Sequence, residues 1–233
     1  MKGYQLSAAR QKGFTLLELS IALLIIALLI GALSVGSDLQ RNANYQRLAT
    51  SFVRGWQLSF LTFTDKVGVV PGDNQSSPTG KINGKNDDAL CELDLRNAMY
   101  AAGVNMPQGR AEGFETHYGY LDSNGNPQNL SVCLKNVAWS VPGSNAGQYV
   151  VQRKNVLILS GVTPDLARML DALIDGNPDA RFGRFREQEK AADTNSTGAE
   201  WSRDNRYNFV DANTNLDESQ VVTLTALYLM DPQ

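Results

Sequence analysis

The chain has 233 residues, 42% of them hydrophobic and 19% charged, which suits one ordinary domain with appended segments. Mean hydropathy is slightly negative (−0.27) although one stretch near the N-terminus is intensely apolar, so a multi-span membrane protein is excluded. Net charge is −3; without residues 1–13, which carry Lys2, Arg10 and Lys12 and no acid, it is −6, and an acidic remainder without a basic stripe argues against general nucleic-acid binding.

The first predicted element is a helix. Phe14 to Val35, FTLLELSIALLIIALLIGALSV, holds one charge, Glu18. At ~1.5 Å per residue the 22 residues make ~33 Å of helix, enough for a hydrocarbon core ~30 Å thick. The bases ahead of it place the N-terminus in the cytoplasm and everything after it outside. An ordinary secretory signal peptide, cut near Ala32-Leu33-Ser34, is the competing reading. Its apolar core is usually shorter, and it gains nothing from an acid. A carboxylate in an apolar span is costly and usually functional.

Lys12-Gly13-Phe14-Thr15-Leu16-Leu17-Glu18 followed by this apolar helix resembles the processing signal of type IV pilins and type II secretion pseudopilins. The resemblance covers about the first 35 residues. It implies a leader, residues 1–13, cut off after Gly13 by a prepilin peptidase, with N-methylation of the new terminus Phe14. It also implies that the apolar helix stays in the mature protein and that Glu18 is the acidic assembly residue. Glu18 of one subunit then neutralises the Phe14 amine of a neighbour, two charges that are costly alone and tolerable as a pair. The alternative is that Glu18 only snorkels to the interface.

Helical patterning continues through residues 36–67. Leu48, Phe52, Trp56, Phe60 and Phe63 recur at three- or four-residue spacing, and a stripe of that kind packs a core. Gly31 and Gly36 are expected to loosen the helix. Val67-Gly-Val-Val-Pro-Gly-Asp-Asn ends it, and FTDKVGVVPGDN (63–74) resembles the junction after the long helix of many pilins. The head, residues 68–233, begins with a polar loop.

Ala89–Ala102 reads as a short helix with Leu90, Leu93, Ala98 and Met99 inward. Strands are expected at 118–121, 130–134, 137–141, 149–152 and 156–160, forming an antiparallel meander with a turn at Asn124-Gly125. Thr163-Pro164-Asp165 starts another helix, with the Thr163 hydroxyl as cap and Leu166, Leu170, Leu173 and Ile174 on its apolar face up to Gly176. Residues 164–186 also resemble a segment of some pilin-like proteins, a helix, an Asp-Gly-x-Pro turn and a Gly-Arg-x-Arg strand. That pattern often doubles the Asp before the Gly, whereas Ile174 precedes Asp175 here. A last strand, 221–229, is expected to bury one face.

Cys91 and Cys133 are the only cysteines, and both fall in the exported part. An oxidising compartment lets them pair; two separate buried thiols are the alternative. Enzymatic chemistry finds no constellation. His117 is the single histidine and is expected at the surface, and there is neither a nucleophile elbow nor a phosphate-binding glycine loop. Asp211, Asn213, Asn215 and Asp217 space oxygen donors two apart as a calcium loop does. Leu216 stands where an EF-hand needs glycine, however, and no bidentate acid follows. Solvated loop acids are the better reading there, with calcium at these residues, at Asp175 and Asp179, or at Asp87 and Asp88 as the alternative. No cofactor is expected.

The fold class expected is α+β, a pilin fold with a long N-terminal helix packed under an antiparallel sheet. The function expected is structural: a minor pilin or pseudopilin held in the inner membrane, head in the periplasm, then extruded into a type IV pilus or secretion pseudopilus. The partners implied are other pilins, the prepilin peptidase and the assembly platform. The alternative is a membrane-tethered binding or adhesion protein that never polymerises.

Overall fold

Thr15 opens the first helix, and its side chain explains why the helix starts there. Its hydroxyl accepts the Glu18 N–H (3.2 Å) while its own N–H donates to Glu18 Oε2 (3.0 Å). This reciprocal capping box satisfies two backbone donors that a helix start leaves over. In the computed structural model, residues 15–110, 114–202 and 222–230 are described, the side chains of 32–38 excepted. The chain divides into two compact units, residues 1–42 and 43–233.

Helix α1 (Leu16–Arg47) is unbroken at Gly31 and Gly36, so the expected loosening does not fall there. A π-helical stretch, Leu48–Val53, comes instead, before α2 (Arg54–Val67). The spacing of the buried stripe explains it. Leu48, Phe52, Trp56 and Phe60 are four apart and at most 2% exposed. Four-residue steps overshoot the 3.6-residue α-turn, and the wider π turn returns them to one face. Gly68 closes α2 in the left-handed region (φ 80°), donating to the Thr64 carbonyl.

The second unit is built on a six-stranded, wholly antiparallel sheet. Its strands are β1 (Ala89–Cys91), β2 (His117–Leu121), β3 (Pro127–Pro142), β4 (Tyr149–Val162), β5 (Phe185–Glu187) and β6 (Leu224–Leu229). The order is β1-β3-β4-β6-β5, with β2 also paired to β3. The expected α+β arrangement, a helix followed by an antiparallel head, is what the chain adopts.

Several elements differ from expectation. The strand pairs foreseen at 130–134/137–141 and 149–152/156–160 are single long strands. Polar residues separate the apolar runs, but Asn136 and Asn155 lie opposite each other and join side chain to side chain (2.9 Å), so the ladder passes through. The helix expected from Ala89 starts later. Residues 89–91 pair with β3, and α3 spans Glu92–Ala101. With that start, Leu95 and Met99 point inward, and Leu93 is 62% exposed.

Helix α4 (Pro164–Asp175) has its proline at the first turn as foreseen, but the Thr163 hydroxyl makes no cap bond. Asp171 shares the buried face with Leu166, Ala167 and Leu170, while Leu173 is exposed. Strand β6 is buried on both faces. Leu224, Ala226 and Tyr228 join the main core beneath Phe52, Trp56 and Phe60. Leu227 and Leu229 join a second cluster with Trp139 and Ala191. The chain after β5 covers that second face, which is why the one-faced expectation failed.

Arg186 holds this cover in place. Its guanidinium lies 4.2 Å over the Trp139 ring. Nη1 donates to the Ser140 carbonyl and hydroxyl and to the Ala191 carbonyl, and Nε donates to the Gly183 carbonyl. The turn before it depends on Gly183 (φ 82°), where an added Cβ would stand 2.3 Å from Asp175 Oδ2. That same oxygen accepts the N–H groups of Arg184 and Phe185.

Candidate functional site: the N-terminal helix start

Within the first unit the chemistry concentrates at Thr15–Glu18. Glu18 Oε2 takes two hydrogen bonds from Thr15, from the backbone N–H (3.0 Å) and from the hydroxyl (3.0 Å). The acid also stands in the first turn, where the positive end of the helix dipole favours it. Around it Leu16, Leu17, Leu19, Ile21, Leu23 and Leu24 are all at least half exposed. A helix apolar on every side needs an apolar surrounding. Among the described residues no helix is long and apolar enough to cross a membrane. The span expected to do so, 14–35, extends beyond the residues whose side chains are described.

Thr15 had no assigned role in the sequence reading, although a Thr three residues before a Glu at the head of an apolar run signals a capping box. Gly13 and Phe14, the expected cleavage site, lie outside the described residues, as do Asp211, Asn213, Asn215 and Asp217.

Cys91 and Cys133 lie opposite each other on β1 and β3, and their sulfurs are bonded. His117 is partly exposed on β2, with Nε2 3.3 Å from Glu92 and Nδ1 3.1 Å from the Thr116 hydroxyl. Among the described residues no group of three or more His, Cys, Asp or Glu is placed to hold a metal. The other acids considered for calcium have protein partners. Asp87 pairs with Arg153 (2.6 Å), Asp88 accepts from Asn83, and Asp179 accepts the N–H groups of Arg181, Phe182 and Ala199.

A family profile described as the prokaryotic N-terminal methylation motif matches residues 8–34. No curated protein and no solved structure matches the chain. The matched residues take in Thr15, Glu18 and most of the apolar run, and that motif's family is structural, not enzymatic. The chain carries a prepilin-type signal, the N-terminal signature of type IV pilins and pseudopilins.

Proposed function

We propose that this chain is a filament subunit, a minor pilin or pseudopilin, processed and assembled through its N-terminal helix. The observation that carries the reading is the methylation motif at 8–34 on a helix whose first turn holds Glu18 and whose residues 16–31 carry no other charge and expose mostly leucine and isoleucine. Cleavage falls between Gly13 and Phe14, and Phe14 is methylated. The precursor spans the inner membrane once through residues 14–35, N-terminus in the cytoplasm and head in the periplasm. The platform then moves it into a type IV pilus or a secretion pseudopilus beside other pilins. The peptidase, the platform and those pilins are its partners.

Glu18 meets the Phe14 amine of the neighbouring subunit as the apolar helices bundle. The head of about 165 residues is large for a major subunit, which favours a minor one. Mass spectrometry of the membrane-fraction protein tests the processing step: the expected N-terminus is methylated Phe14. A chain starting near Val35 refutes it in favour of a signal peptide. Immunoblots of sheared filaments test assembly, and absence from that fraction leaves a tethered binding protein instead.

A further inference from the structure

Two surface patches of the second unit are complementary and lie at opposite ends of the sheet. The first is a groove of about 250 Å³ whose lining includes Val53 and Arg54 of the long helix, Leu170 and Leu173 of α4, Arg184 and Tyr228. It contains two arginines and no acid. Arg184 is partly engaged, lying over the Tyr228 ring and donating to the Leu229 carbonyl. Arg54 is exposed, and its side chain has no ion pair or hydrogen bond among the described residues. Leu173 is 54% exposed, and Leu58, one turn beyond Arg54, is 66% exposed. A basic, apolar-walled groove is unexpected here, because residues 43–233 carry 22 acids against 17 bases.

The second patch is the outer face of α3. Leu93 and Tyr100 are 62% and 53% exposed, and the exposed Asp94 lies beside Leu93 in the first turn. Asp94 has no hydrogen bond or ion pair among the described residues. Its neighbour Glu92 is occupied by His117 and Thr116, and Arg96 by Glu115, so the unspent charge on this face is negative.

Helix α3 packs on β1 and β3, whereas α4 packs on β5 and β6, the opposite end of the strand order. Two different complementary patches on one chain make a heterologous contact, which propagates into an open filament unless its rotation closes a ring. A self-complementary patch would stop at a dimer. We infer that the α3 face of one copy docks in the Arg54–Arg184 groove of a second copy, with Asp94 meeting Arg54 and with Leu93 or Tyr100 against the exposed Leu173. The contact is small beside the ~1,200–2,000 Å² of a stable pair in solution. It therefore sets the register of heads that their apolar helices have already brought together. This inference rests on the filament reading and on two or more copies of this chain standing next to one another in the filament, which holds for a minor subunit only where its copies are adjacent.

The test is a charge-reversal cycle in the full-length chain, read as the fraction recovered in sheared filaments. Arg54→Asp and Asp94→Arg should each lower that fraction about tenfold, and the double variant should return to within about twofold of wild type. Both residues are exposed, so membrane-fraction levels should be unchanged. A second variant pair, Asn97→Cys with Leu173→Cys, should give a disulfide ladder of multimers in filaments only when both are present. Single reversals that assemble like wild type, or a double variant worse than either, overturn the inference and leave the filament reading standing. That result is also expected if the groove takes a small amphipathic acid instead. Wild-type chain missing from filaments removes both.

Discussion

Asp171 should make the head less stable as pH rises from about 4 to about 7. Its residue is fully buried on α4, where Oδ2 accepts the Asp179 N–H (2.7 Å) and Trp201 Nε1–H (3.0 Å). Its other oxygen is buried without a hydrogen-bond partner among the described residues. Burial pushes the carboxyl up to about 7 from its ordinary 3.8, and the Asp175 carboxylate adds to this against the two N–H bonds. The folded chain therefore holds this proton more tightly than the unfolded chain. The stabilising contribution is full below the unfolded value and is lost as pH rises toward 7. About three pH units correspond to about 4 kcal/mol.

Asp171→Asn keeps an acceptor for both N–H groups and cannot ionise. Thermal melts of the full chain in detergent at pH 5, 6, 7 and 8 should show the variant's Tm about 8–16 °C above wild type at pH 8, given ~2–4 °C per kcal/mol at this size. The gap should narrow by about half or more at pH 5. Glu115, held low first by the Tyr100 hydroxyl, and Asp193, held low first by the Asn195 N–H, act in the opposite sense. Their stability is lost only as pH falls below the ordinary carboxylate range. The difference between wild type and variant between pH 5 and 8 thus isolates Asp171. Parallel profiles would refute the reasoning.

Replacing Cys91 and Cys133 together by Ser opens a loop set by their separation of 42 residues and should cost about 4 kcal/mol in the chain-entropy description; the melting point of wild type in reductant should match the variant. Arg186→Met should destabilise by about 3 kcal/mol, because the acceptors at Gly183, Ser140 and Ala191 lose a buried donor, and limited proteolysis should cut residues 187–202 first. Glu18→Gln should leave cleavage at Gly13 intact while processed chain accumulates in the membrane, and immunoblots of membrane and sheared fractions should show little of it in filaments. Equal incorporation would remove Glu18 from assembly.

The long helix and its stripe were legible because aromatic residues at helical spacing declare a buried face, and all five foreseen stripe residues are buried. The π stretch was hidden in the same residues. A four-residue repeat reads as a helix stripe, and only the geometric mismatch shows where the helix must widen. Local signals failed where a long-range partner decided the outcome. Residues 89–91 have helix-compatible side chains but pair with β3. Polar interruptions at Asn136 and Asn155 looked like strand ends until each supplied the other's partner. Asp171 reads as a solvent-side residue of an amphipathic helix. Its burial depends on Trp201 and Asp179, 30 and 8 residues away, which no periodicity reports.

The functional end shows how an acid persists at the start of an apolar helix. A lone carboxylate there needs partners before any neighbour arrives, and the capping box provides two, both on Thr15. Cleavage between Gly13 and Phe14 leaves the Thr15 amide and hydroxyl in place, so the proposed processing step does not undo the box. Both donors are neutral, however. They occupy Oε2 of Glu18 without cancelling its charge, and in a low dielectric the uncancelled charge still favours a cation. The proposed cleavage would create one such cation near this carboxylate in sequence, the amine of Phe14. Within one chain the Thr15 bonds already turn Glu18 toward its own helix start, and in a bundle the same orientation presents it to an adjacent terminus. On the proposed reading, a single side chain both caps its helix and registers subunits in the filament. The neutral amide of the Glu18→Gln variant would keep the first role and lose the second, so on the proposed reading charge, rather than hydrogen bonding, separates anchoring from assembly.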